Sequence, residues 1–164
     1  MNYMQIDKAS VSNGPGIRVV LWVAGCSHRC PGCQNPETWF ADAGKSFNYF
    51  AEQELFNCLA KPYISGLTFS GGDPLFPDNI KTITQIACEC KTKFPTKTIW
   101  LWTGYEWPAV KSLEIMNFLD VIVTGPFIES QKDYTLLYCG SRNQQVIDVK
   151  ASLAANSIIL YKEN

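Results

Sequence analysis

Three cysteines crowd into the run Cys26-Ser27-His28-Arg29-Cys30-Pro31-Gly32-Cys33. Thiolates at that spacing can wrap one face of a compact inorganic cluster. A 4Fe-4S cube needs a ligand on each iron, so a triad without an obvious fourth partner leaves one iron open to an exogenous molecule. An open iron implies chemistry, whereas a structural zinc site closes its tetrahedron with four protein ligands, usually as two separated pairs. His28 or a distant cysteine completing such a tetrahedron is the alternative. Pro31 and Gly32 narrow and free the backbone where a cofactor would approach, and Gly25 lets the chain leave the preceding apolar run sharply. These features favour the cluster, with Cys26, Cys30 and Cys33 as its ligands and His28 as a loop residue. A second candidate segment is Gly71-Gly72-Asp73-Pro74. Paired glycines let main-chain groups come close to a ligand, and the Asp73 carboxylate suits an ammonium donor. By itself this segment would read as an ordinary turn between strand and helix; its coincidence with the cysteine loop makes it a site candidate.

These loops need elements to hold them. Apolar runs and amphipathic stretches alternate: strands are predicted over residues 18–24, 67–69, 99–103 and 121–123, with a weak one over 145–149. Helices are predicted over 49–60, from a cap at Asp78 or Asn79 up to Pro95, and over 109–118. On the second helix Ile80, Ile83, Ile86, Ala87 and Cys90 share one face. This order favours a mostly parallel sheet with right-handed crossovers, whose loops gather along one edge. The cysteine loop follows the first predicted strand, the glycine pair the second, and Thr103-Gly104-Tyr105 the third. Too few strands are visible for a closed eight-stranded barrel, so the expectation is an α/β fold built as an open partial (βα) barrel. Residues after Lys150 are ambiguous. Trp100 and Trp102 flank Leu101, giving that strand one aromatic face, read as packing.

Composition narrows the classes. The chain has 164 residues, nearly half of them apolar, enough for one core and too few for a comfortable second, so residues 1–164 are expected to form one domain. Fourteen basic against fifteen acidic residues leave a net charge of -1 without a basic cluster, which argues against nucleic acid. The first fifteen residues lack a basic start and an apolar stretch, and the apolar run at 19–24 is too short to span a bilayer. The expected address is the cytoplasm, with no membrane partner. Seven cysteines are an odd number, and reducing conditions would keep thiolates available. Cys58, Cys88 and Cys90 fall on predicted helices and read as small buried or semi-buried apolar groups.

The three-cysteine spacing resembles the signature of the radical S-adenosylmethionine superfamily. The longer run Cys30-Pro31-Gly32-Cys33-Gln34-Asn35-Pro36-Glu37-Thr38-Trp39 is similar to the glycyl-radical activating enzymes, particularly those serving anaerobic ribonucleoside-triphosphate reductase. The likeness covers nearly the whole chain: Asn13-Gly14-Pro15-Gly16-Ile17-Arg18, the Gly71 to Leu75 segment, Trp102-Thr103-Gly104-Tyr105, Gly125-Pro126-Phe127, Gly140-Ser141 and Asn143-Gln144. It implies a 4Fe-4S cluster and S-adenosyl-L-methionine as cofactors, the methionine end chelating the open iron beside Gly71-Gly72-Asp73-Pro74. Gly32, Cys33, Gln34 and Thr103 complete the implied cofactor contacts. The implied partners are the large glycyl-radical subunit of the reductase and a reduced flavodoxin or ferredoxin-type electron donor. No side chain is expected to be catalytic in itself, the radical chemistry being carried by cluster and cofactor. Bulk at Gly72 is expected to weaken cofactor binding more than cluster assembly. Two positions depart from the family pattern: Thr124 stands where an acid is frequent, and Cys139 where an arginine is. A small-molecule enzyme similar to 7-carboxy-7-deazaguanine synthase and a noncatalytic zinc-binding module are the competing readings.

Overall fold

The computed structural model describes residues 1–163. A seven-stranded mixed sheet runs in the order β3-β1-β2-β4-β5-β6-β7. Its members are β1 (Asn2–Ser10), β2 (Arg18–Val23), β3 (Lys45–Ser46), β4 (Gly66–Gly71), β5 (Thr98–Trp102), β6 (Val121–Thr124) and β7 (Gln145–Asp148). β2, β4, β5 and β6 are mutually parallel, while β1 and β3 on one side and β7 on the other pair antiparallel. The parallel centre agrees with the sequence reading, and the sheet does not close.

Residues predicted as strands are the β-branched and aromatic runs, which suit a pleated surface buried on both faces. β1 has no such signature. Its pairing with β2 shifts register between Tyr3 and Gln5 and again between Asp7 and Ser10, which breaks the two-residue period by which a strand is recognised.

One face of the sheet, carrying Val19, Leu21, Val23, Leu67, Phe69, Ile99, Leu101 and Ile122, lies in the apolar core. α1 (Tyr49–Leu59) adds Leu55, Phe56 and Leu59 to it, and α2 (Pro77–Lys93) adds Ile83, Ile86, Ala87 and Cys90. Each fully buried Leu or Ile contributes about 1.5–3 kcal/mol of transfer free energy. Asn48 caps α1, its side chain accepting from the N–H groups of Phe50 and Ala51. α2 starts without a side-chain cap, contrary to the expected Asp78 or Asn79; Pro77, with its fixed φ and no N–H to satisfy, opens it. Asn79 is buried instead, for a purpose given below. The helix predicted over 109–118 is one turn, α3 (Trp107–Val110), followed by a 3-10 turn at Glu114–Asn117.

After Lys150 the chain completes α4 (Val149–Ala155) and turns at Asn156 in left-handed conformation. It then returns beside β7, with Leu160 bridging Ile147. Cys58 and Cys90 are buried as expected, but Cys88 is exposed, since it lies on the solvent side of α2. Among the described residues, no helix is long and apolar enough to cross a membrane.

The opposite face of the sheet carries Arg18, Thr68, Trp100 and Trp102. Arg18 is fully buried, and among the described residues it has no carboxylate within ion-pair distance. Its guanidinium donates to the hydroxyls of Thr68 and Thr98 and to the carbonyls of Pro15, Leu67 and Thr98 at 2.7–3.4 Å. It also sits 5.6 Å from the Trp100 ring centre. Burial lowers its pKa to about 10, which leaves it charged at neutral pH.

Candidate metal and cofactor site

The four parallel strands end side by side, Val23 opposite Gly71 in register, so the loops that follow them share one edge of the sheet. The first is the cysteine loop. Gly25, at φ +95, takes a conformation that L side chains rarely adopt and turns the chain off β2. The Gly25 N–H donates to Thr38 O at 2.7 Å, and the Cys26 N–H to Trp39 O at 3.1 Å. These bonds draw together the two ends of the segment from Cys26 to Trp39. Inside it, Arg29 (φ 47) and Gly32 (φ 69) are left-handed, and the Cys33 N–H closes a turn on Cys30 O. A left-handed non-glycine residue costs about 1–2 kcal/mol. Arg29 holds that conformation with its guanidinium 5.8 Å from the Phe40 ring centre.

The glycine segment after β4 meets this loop from the other side. The Gly72 N–H donates to Val23 O and the Asp73 N–H to Gly25 O, both at 2.8 Å. The Asn79 side chain, from the first turn of α2, donates to Ala24 O at 2.8 Å and Asp73 O at 3.0 Å. The residue expected as a helix cap thus stitches the roots of the two loops together.

Cys26, Cys30 and Cys33 are free, partly exposed thiols. They line one pocket of about 540 Å³, within the range of small-ligand sites. Gln34, Gly71, Gly72, Asp73 and Thr103 line it as well, so the structure brings together most of the residues singled out in the sequence. Gly32 and Pro74 stand outside the lining. Gly32 is an exposed turn whose Cα faces the Glu129 side chain, and Pro74 is buried behind Asp73. A Cβ on Gly72 would lie 2.5 Å from Gly25 O and 3.0 Å from Thr38 O, pointing into the root of the cysteine loop. The contact argues against the expected separation, since bulk at Gly72 would press on the loop that carries the thiols as well as on the cofactor space.

Asp73 is 1 % exposed and its carboxylate is engaged on all sides. Oδ2 accepts from His28 Nε2 at 2.7 Å, the Gly104 N–H at 3.0 Å and the Thr103 hydroxyl at 2.9 Å; Oδ1 accepts from the Leu75 N–H at 2.8 Å. Sequence reasoning left His28 as an incidental loop residue, because its partner lies 45 positions away.

The remaining wall comes from the segment after β6. There the Gln144 side chain bonds Gly125 O and the Gly140 N–H at 3.0 and 2.8 Å, and Asn143 Nδ2 donates to Pro126 O at 2.8 Å. Cys139 lines the pocket from this flap, and its thiol pKa is raised by burial. Thr124 is buried in β6. Trp22 and Trp102 line the floor, and Trp102 Nε1 donates to Tyr138 O at 2.8 Å.

Two observations test whether a cluster and a polar cofactor fit. Among the described residues, the Nε1 atoms of Trp22 and Trp39 are buried without a hydrogen-bond partner, and both tryptophans line this pocket. An unpaired buried donor costs about 1–3 kcal/mol. The thiol environment is the second. Burial raises the Cys26 pKa, against which the N–H groups of His28 and Arg29 act, and the Asn35 N–H lies 3.4 Å from Cys33 Sγ. Main-chain N–H groups directed at sulfur stabilise bound thiolates. The donor types suit a cluster that takes one thiolate per iron, while among the described residues no three His, Cys, Asp or Glu side chains are gathered to hold a single metal ion.

Comparison with known proteins gives a concordant result. Residues 12–147 match a family described as a 4Fe-4S single cluster domain. A protein of Enterobacteria phage T4 is 45% identical over 146 residues, covering 89% of this chain and 93% of that one. A Haemophilus influenzae protein is 40% identical over 148 residues, covering 88% and 96%. An Escherichia coli (strain K12) protein is 38% identical over 150 residues, covering 89% and 97%. Each is named an anaerobic ribonucleoside-triphosphate reductase-activating protein.

Proposed function

The chain belongs to the anaerobic ribonucleoside-triphosphate reductase-activating protein family, and on that premise we propose that it generates a glycyl radical on such a reductase by radical S-adenosylmethionine chemistry. One observation carries the reading: the free thiols of Cys26, Cys30 and Cys33 line the same pocket as the Gly71 to Asp73 strand end. The thiolates of Cys26, Cys30 and Cys33 would hold a 4Fe-4S cluster, within one domain built as an open partial barrel. When bound, cluster and S-adenosylmethionine supply an electron and a sulfonium, whose reductive cleavage gives methionine and a 5'-deoxyadenosyl radical able to abstract a hydrogen atom.

The chain's own residues bind, orient and exclude. Gly71 and Gly72 would offer main-chain groups to the methionine end of the cofactor, with Cys33, Gln34 and Thr103 lining the same pocket. Gly32 and Pro74 act by shaping the two loops. Asp73 acts through the Thr103, Gly104 and His28 groups that it holds. The tryptophans of the floor and the Gly125 to Gln144 flap limit water in the pocket. Its mouth is left for a glycine-bearing loop of the large reductase subunit, and a reduced flavodoxin or ferredoxin-type protein supplies the electron in the cytoplasm.

The test uses the reductase itself. Reduced, cluster-loaded protein is mixed with S-adenosylmethionine and a reductase deuterated at its target glycine. Deuterium should appear in 5'-deoxyadenosine as a glycine-centred radical appears by electron paramagnetic resonance, and alanine at that glycine should abolish both. Deuterium arriving from a purified small metabolite at catalytic turnover, with no radical on the reductase, would refute the assignment.

A further inference from the structure

We propose that His28 is a positioning residue, which clamps the cysteine loop to the sheet edge through Asp73 and so fixes where Cys26 and Cys30 stand. The inference rests on the cluster reading above only for what the loop carries; the clamp itself is geometry. His28 lies between Cys26 and Cys30, and its Nε2 reaches Asp73 Oδ2 at 2.7 Å with Asp73 almost fully buried. A carboxylate only accepts, so Nε2 carries the proton of this bond.

The other three donors on Asp73 come from outside the cysteine loop. They are the Leu75 N–H behind it and the Thr103 hydroxyl and Gly104 N–H after β5. Four donors fill the roughly four acceptor sites of a carboxylate. Asp73 is thereby a junction of three loops, each following a different parallel strand, and His28 is the one arm of that junction reaching into the cysteine run.

The ring is also held by shape. It meets Tyr105 edge to face, with centres 4.6 Å apart. A Cβ on Gly104 would stand 2.5–2.7 Å from ring atoms of His28. Glycine at 104 is therefore the condition for the ring to sit where it does, and the two positions form one device. The bonds at Gly25 and Cys26 hold only the root of the loop; without His28 its Cys26 to Cys30 half has no side-chain tie to the sheet edge among the described residues. Groups that orient metal ligands from behind typically change metal affinity by about 10–100-fold when removed.

The test compares the wild type with His28→Ala, His28→Gln, Gly104→Ala and the Gly104→Ala/His28→Ala double variant, all as full-length protein. In apoprotein, His28→Ala should speed amide exchange over residues 26–33 about tenfold or more, while amides of α2 near Ile83 keep their protection. In reconstituted protein, chelator-driven iron release should quicken comparably, and the electron paramagnetic resonance signal of the reduced cluster should broaden. Gly104→Ala should reproduce these effects by displacing the ring, and in the His28→Ala background it should add nothing, because both act through one contact. Gln, whose amide nitrogen can stand in for Nε2, should restore part of the protection.

Unchanged exchange over 26–33 in His28→Ala, additive effects in the double variant, or loosening of α2 alongside the loop would each overturn the clamp. The exchange measurements need no cluster. Failure of the chain to bind iron would sink the cluster reading while leaving the clamp to be judged by them.

Discussion

Replacing Gly72 by alanine should destabilise the whole protein, although the change adds one methyl group at the rim of a pocket. The added carbon would lie 2.5 Å from Gly25 O and 3.0 Å from both Gly25 C and Thr38 O, all main-chain atoms with no rotamer to escape into. Overpacking of this kind costs about 1–3 kcal/mol. Moving Gly25 away also lengthens its bonds to Asp73 N and Thr38 O, now 2.8 and 2.7 Å, each worth about 0.5–1.5 kcal/mol. Against this, alanine restricts the unfolded chain and returns about 0.4–1 kcal/mol. The net expectation is a loss of about 2 kcal/mol. For a chain of this size that is a fall in melting temperature of about 4–8 °C. Denaturant melts of apoprotein measure it, and iron content after reconstitution should drop with it, because Gly25 is the root of the cysteine loop. Gly140→Ala is the control: its added carbon meets only side-chain atoms, the Phe127 ring at 3.1 Å and Gln144 Oε1 at 3.5 Å, which can give way. A Gly72→Ala protein that melts within about 0.5 kcal/mol of wild type and takes up full iron would refute the reasoning.

Four further outcomes follow from the same geometry. Alanine at Cys26, Cys30 or Cys33 should each abolish the brown, roughly four-iron protein formed on anaerobic reconstitution, while Cys58→Ala and Cys88→Ala keep it; a fully active Cys30→Ala enzyme would end the assignment. Cys139→Ala should also retain full iron, because the flap thiol serves as wall and not as fourth ligand; loss of one iron per cluster, read by iron and sulfide analysis, would reverse that role. Asp120→Asn should lower stability at neutral pH. Burial opposes the Asp120 carboxylate, but bonds from Lys150, Lys91 and the Ile99 N–H outweigh it and hold its pKa below 3.8, so its contribution is present above the unfolded value and lost as pH falls through the folded one. Urea midpoints of variant and wild type should therefore converge in acid. Leu137→Asp, at a 70 % exposed leucine one residue from the pocket-lining Tyr138, should weaken glycyl-radical formation on the reductase without slowing partner-free cleavage of S-adenosylmethionine.

The parallel centre of the sheet was legible because its strands are buried on both faces and so appear as short, mostly apolar runs rather than alternating ones. β1 was not, since its register shifts hide the alternation that would have marked it. The start of α2 was misplaced by one kind of residue for a physical reason: Asp78 and Asn79 have the chemistry of caps, but Pro77 already fixes the first helical φ and frees Asn79 to bind Ala24 O and Asp73 O. In the site, spacing located the thiols and glycines that share the pocket, because those contacts are local or follow strand order. His28 and Asp73 were each noticed and never joined. Their bond depends on how two loops lean toward one another beyond the strand ends, and neither strand order nor periodicity encodes that angle.

The aromatic strand shows how a correct packing assignment can still be incomplete. Trp100 is buried, with Trp102 stacked on it at 5.6 Å between ring centres. Below Trp100 lies the Arg18 guanidinium, satisfied by carbonyls and hydroxyls at the amino ends of the strands. Above, Trp102 Nε1 holds Tyr138 O, and Tyr138 itself packs edge to face on Trp100. Tyr138, Cys139 and Gly140 are one wall of the pocket. A column of packed groups thus runs from a buried charge at the closed end of the sheet to the flap at the open end. An indole was required at 102, since of the apolar aromatics only tryptophan brings both a stacking face and an N–H donor. Phenylalanine there would keep the packing and release the flap, which makes this column structural in its lower half and part of the site in its upper half.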